Sequence, residues 1–213
     1  MLQGVRRSSL AARVSLRSTT PTAKWRAVTY VATGECAFLL FTVVCVSLHP
    51  GFVLKWDEGG MSNYGLHIKT AVPYTLGLGL LVLFSAWAGS LYVDRDRRSR
   101  GLRVLLYTYA AVVSSVLLSS YVYSLNRTLE DLHYMLGGLL VLTVAAGSLW
   151  MYRLWPATSF ASALLLVQLF GDVLALLTGL GSLHALFVAE IVSNVGFASL
   201  VVWTGRKVAV EDN

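Results

Sequence analysis

Of the 213 residues, 56% are hydrophobic and only 13% charged, with a mean hydropathy of +0.65, whereas roughly a quarter of the residues in a soluble domain are charged. That balance excludes a water-soluble globular fold and, at about 20 residues per crossing, leaves room for six membrane spans but not for a separate soluble catalytic domain. The net charge of +6 does not mark a nucleic-acid binder, because the basic residues flank apolar runs instead of sharing one accessible face.

In chain order, residues 1–26 hold Arg6, Arg7, Arg13, Arg17, Lys24 and Arg26, no acid, and many Ser and Thr. They read as a basic cytoplasmic tail without a fold of its own, held near anionic lipid. An organellar transit peptide has the same composition and stays open as an alternative; a cleaved secretory signal is disfavoured, because no short apolar segment follows the early arginines. Apolar runs follow at 27–48, 73–93, 102–125, 132–152, 157–180 and 183–204. Each can cross roughly 30 Å of hydrocarbon as a helix, and none alternates apolar with polar as a barrel strand would. The expected fold is therefore all-α: a polytopic bundle of six transmembrane helices over 27–205, with a short tail at 206–213. Loop 49–72, with Pro50 and Gly59-Gly60, is the one sizeable connection and the expected outward-facing feature. Spans five and six, joined around Gly181, are expected to pack as an antiparallel hairpin.

Fourteen Lys and Arg residues fall on one side of these spans and only Lys55, Lys69 and Arg127 on the other. The asymmetry predicts that both termini are cytoplasmic, in a protein of the plasma membrane. Trp25, Trp56, Trp150, Trp155 and Trp203 lie near span ends, where aromatic belts form. Cys36 and Cys45 share the first span about 13 Å apart along a helix, out of reach of a mutual disulfide. Asn126-Arg127-Thr128 matches a glycosylation sequon but is expected to lie too near the membrane surface to be modified.

Glu35, Gln168, Asp172, Glu190 and Asn194 fall inside spans, where polar groups are costly and should face the bundle interior. Gln168 and Asp172 are i,i+4 on span five, and Glu190 and Asn194 are i,i+4 on span six. Folding the hairpin about Gly181 sets Asp172 opposite Glu190 and Gln168 opposite Asn194, a polar ladder that Glu35 could join. Two facing carboxylates would share a proton or hold a cation. The ladder is thus either a proton or cation site, a receptor for a polar lipid headgroup, or interhelical hydrogen bonding alone. The four histidines, His49, His67, His133 and His184, map to outer ends and lack the close same-face pairs of a metal site. No metal and no cofactor is expected. Ser114, Ser115, Ser119 and Ser120 sit in no nucleophile elbow, and Gly77-Leu78-Gly79 lies inside span two, where close helix packing accounts for it.

The outer-loop segments Leu48-His49-Pro50-Gly51-Phe52 and Met61-Ser62-Asn63-Tyr64-Gly65, the stretch Asp131-Leu132-His133-Tyr134-Met135-Leu136-Gly137-Gly138 and Ala189-Glu190 in span six together resemble the Frag/DRAM/Sfk type of six-helix membrane protein and a neighbouring uncharacterised bacterial membrane family. The resemblance covers about 27–205 and does not include the N-terminal tail. It implies a role in lipid remodelling, lipid asymmetry or regulation, supplies no catalytic residues, and carries over Ser62, Asn63, His133 and Glu190, to which His184 is added as an outer-face candidate. The resulting expectation is a non-catalytic, lipid-interacting or regulatory membrane protein. Its expected partners are membrane lipids, with a membrane-protein partner or a second copy of the chain also open. The alternatives are a small proton- or cation-coupled transporter using Asp172 and Glu190, and a membrane-embedded lipid hydrolase.

Overall fold

Six long helices and three single-turn elements make up the computed structural model, which describes residues 21–51, 60–92, 96–155, 158–179 and 185–211. The long helices are α1 (Pro21–Leu48), α3 (Ala71–Leu91), α4 (Arg97–Ser119), α5 (Arg127–Arg153), α6 (Ser159–Gly179) and α7 (Leu186–Glu211), with a one-turn helix α2 (Asn63–Leu66) between α1 and α3. A 3₁₀ turn at Gly60–Ser62 leads into α2, and another at Tyr123–Leu125 joins α4 to α5. All six long helices are apolar enough over 20 or more residues to cross a membrane. Large apolar side chains such as Leu40, Val43, Leu118, Met135, Leu142, Leu166 and Phe170 are exposed around the outside. A soluble monomer does not tolerate so extensive an apolar surface; a bilayer supplies its solvent. The chain is a multi-pass membrane protein.

The helices run longer than the apolar runs because local chemistry carries them past the hydrocarbon. Pro21 opens α1, a position where its missing N–H costs nothing, so Lys24 and Arg26 are helical and do not belong to an unstructured tail; residues 1–20 lie outside the described residues. Asp96 caps α4, accepting from the N–H groups of Arg98 and Ser99 (both 2.7 Å) and from Ser99 Oγ (2.7 Å). Asn126 caps α5 through Leu129 N (2.9 Å). At the far end α7 continues to Glu211 through most of the segment expected to be a short tail.

Chain neighbours pack on one another in turn, and α7 closes the ring against α1 while also touching α4 and α5. Glycines set the closest approaches. A Cβ on Gly171 would lie 2.5 Å from Ser193 N and one on Gly196 2.9 Å from Gln168 Cα, so α6 and α7 meet backbone to backbone. A Cβ on Gly77 would lie 2.9 Å from the Phe41 Cβ of α1, whereas Gly79 faces open space; only the first of that glycine pair is a packing contact. Cys36 and Cys45 are both unpaired.

Lys24, Arg26, Arg97, Arg98, Arg100, Arg103, Arg153, Arg206 and Lys207 gather at one end of the bundle. Several rest on aromatic faces there: Arg98 on Trp155 (4.2 Å), Arg206 on Trp25 (5.8 Å) and Lys207 on Trp203 (5.9 Å). Lys24, almost fully buried, pairs with Asp96 at 3.8 Å and ties the start of α1 to the start of α4. Burial alone would raise the Asp96 carboxyl, but the hydrogen bonds from Ser99 and Arg98 and the Lys24 ammonium outweigh it and hold it below the ordinary carboxylate value. Trp56 lies outside the described residues.

Candidate functional site

At the opposite end, the helices enclose a cavity of about 720 Å³ to which every long helix contributes. Its walls are Phe38 of α1, Leu78 of α3, Val113 and Val116 of α4, Leu140, Val141 and Val144 of α5, and Ala175 and Leu176 of α6. Gly137 and Gly138 complete the α5 wall, and a Cβ built on either meets nothing within 4 Å. Tyr134 of α5 and Leu176 of α6 line the cavity yet are each 50% exposed, so these two walls are thin toward the apolar surroundings. Polar side chains converge on the remaining side: Ser62, Tyr74, Tyr123, His133, Glu190, Ser193 and Asn194.

These groups are held by bonds between distant parts of the chain. Gly60 adopts φ +51°, a left-handed conformation that suits glycine, and a Cβ there would come within 2.7 Å of Glu190 Oε2. The turn directs the Met61 N–H to Glu190 Oε2 (2.6 Å), fastening the loop across the mouth of α7. Ser62 is the N-cap of α2 but makes no capping bond with its side chain. Its hydroxyl instead meets His133 Nε2 at 2.9 Å, and His133 Nδ1 meets Ser119 Oγ at 2.7 Å. Ser119 Oγ in turn donates to the Val116 carbonyl (2.9 Å). Tyr123 stacks on the His133 ring, centroids 4.7 Å apart, and donates its hydroxyl to Asn63 Oδ1 (2.6 Å). Tyr74, buried in the fold, lines the same end of the cavity.

Ser62, Asn63, His133 and Glu190, far apart in sequence, thus meet at one end of the cavity. His184 lies outside the described residues. The ladder residues divide otherwise than by folding about Gly181. Gln168 Nε2 donates to both Asp172 oxygens (2.9 and 3.0 Å) as the i,i+4 spacing implied, but across the hairpin the partner of Asp172 is Ser193, whose Oγ donates at 2.7 Å. Asn194 accepts from the Tyr109 hydroxyl of α4 (2.8 Å), not from Gln168. The contacts of Gly171 with Ser193 and of Gly196 with Gln168 place the register about two residues from the symmetric fold. Asp172 is buried between α6 and α7, whereas Glu190 lines the cavity. Glu35 is buried with neither carboxyl oxygen hydrogen-bonded, and joins no ladder among the described residues. His49 and His67 pair ring to ring at 4.3 Å. Among the described residues no three His, Cys, Asp or Glu side chains group as metal ligands do.

The sequence reading passed over Ser119 and Tyr123 as site residues. Their signal is position alone: both lie within 14 residues of His133, Ser119 at the end of α4 and Tyr123 in the turn that joins α4 to α5. Comparison with protein-family models, curated proteins and solved structures gives no match for this chain. The resemblance noted above therefore rests on its short motifs.

Proposed function

We propose that the protein binds a membrane lipid in this cavity, with an acyl chain between α5 and α6 and the polar headgroup among Ser62, Asn194 and Glu190. The carrying observation is a volume within the usual range for small-molecule sites that is apolar along its length, polar at one end and walled on the α5 and α6 side by half-exposed residues. An amphiphile already in the bilayer could enter without crossing water. The coupled-transport reading rested on Asp172 facing Glu190, and their separate partners give it no support. By the positive-inside rule the basic end faces the cytoplasm, both termini with it, in a plasma-membrane protein whose cavity lies in the outer half.

Native mass spectrometry of the detergent-purified chain tests the binding. The wild type is expected to retain one lipid, and Gly138→Leu, whose Cβ meets nothing within 4 Å and whose side chain would take up cavity volume, is expected to lose it while staying folded. Equal lipid retention by both, or none in the wild type, would overturn the reading. The same spectra report whether a second copy of the chain is held.

A further inference from the structure

We infer that Ser62 is a nucleophile for acyl transfer from an ester-linked lipid bound in the cavity, with His133 as its general base. The inference rests on the lipid-binding reading and goes beyond it. Ser119 has one hydroxyl proton, which we assign to the Val116 carbonyl, 2.9 Å away. Ser119 Oγ then accepts from His133, which puts the imidazole proton on Nδ1 and presents the Nε2 lone pair to Ser62. That is the tautomer a serine needs in order to be deprotonated as it attacks. The bond to Ser119 and the stack of Tyr123 fix the ring, and Ser62 is free for it because its hydroxyl makes no capping bond.

Ser62 Oγ would attack the ester carbonyl carbon while its proton passes to His133 Nε2. Tyr74 lines the same cavity end as Ser62, and its phenol is the donor that would turn its proton toward the developing oxyanion. As the tetrahedral intermediate collapses, the bond to the lipid alcohol breaks and His133 returns the proton to the leaving oxygen, leaving an acyl ester on Ser62. Water, or the hydroxyl of a second lipid, then attacks that ester with His133 again taking the proton. The products are a free fatty acid or a newly acylated lipid, and Ser62 is regenerated. No metal and no redox partner enters this sequence. Ser119 is a positioning residue.

The test is labelling of the purified full-length chain, in nanodiscs, with a fluorophosphonate probe, with the adduct located by peptide mass spectrometry. Labelling is expected at Ser62, absent in Ser62→Ala and slowed about 100-fold or more in His133→Gln. Ser119→Ala is expected to slow it while the protein stays folded and retains its lipid, and Ser119→Thr to restore it. A folded, lipid-retaining wild type inert to the probe, or labelled equally in Ser62→Ala, would overturn the inference and leave lipid binding standing. Absence of lipid from the wild type would overturn the binding reading and this inference with it.

Discussion

Asp172 is tolerated between α6 and α7 because the Gln168 amide and the Ser193 hydroxyl both donate to it. Asp172→Leu takes away the acceptor of the Ser193 hydroxyl and leaves the Gln168 amide only its 3.2 Å bond to Ser193 Oγ, and is expected to destabilise the protein by about 1–3 kcal/mol in thermal unfolding in detergent. Asp172→Asn keeps an acceptor oxygen and should cost less than half as much. Gly60→Ala forces a side chain into left-handed backbone, at about 1–2 kcal/mol, and against Glu190; faster hydrogen exchange at the Met61 amide is the expected sign. Asp96 supplies a pH dependence. Its carboxyl is held below the ordinary value in the folded protein, so its contribution is present above that value and fades as pH falls through the depressed one. The effect is modest because the side chain is 45% exposed. A lower melting temperature at pH 3 than at pH 6, with a smaller difference in Asp96→Asn, checks it. Sequence spacing disclosed which acids lie in spans but not their partners. Glu190 is satisfied by a main-chain amide 129 residues away, and a main-chain donor has no residue type to betray it.

Helix by helix, the apolar runs located all six spans, since length and hydropathy are local properties. Their ends were less legible, because Asp96 and Asn126 extend helices by capping outside the apolar stretch. The register of α6 on α7 could not follow from folding about Gly181, because backbone contact at Gly171 and Gly196 sets it. Those glycines give the element-scale prediction. Gly171→Val and Gly196→Val press a side chain into the facing backbone and should each cost about 1–3 kcal/mol. Gly79→Ala, whose new methyl group meets nothing within 4 Å, should be neutral or gain up to about 1 kcal/mol from helix propensity. Unfolding of the three variants in detergent reads out the difference.

Across the whole molecule, a charge-marked end and a polar-lined cavity lie at opposite ends of the bundle. In a background lacking Cys36 and Cys45, cysteines at the exposed positions Ile68 and Thr128 should react with an impermeant thiol reagent on intact cells, and cysteines at Arg100 and Val210 should not. The reverse pattern would invert the proposed orientation. Occupancy of the cavity has its most direct test in photo-cross-linking of the reconstituted protein with a phospholipid carrying a diazirine in one acyl chain. Val113 and Val144 line the cavity and are each 2% exposed, so a chain on the outer surface does not reach them. Adducts on α4 and α5 at these positions, lost in Gly138→Leu, are the expected result; adducts confined to outward-facing residues such as Leu40 and Val43 would contradict lipid binding in the cavity.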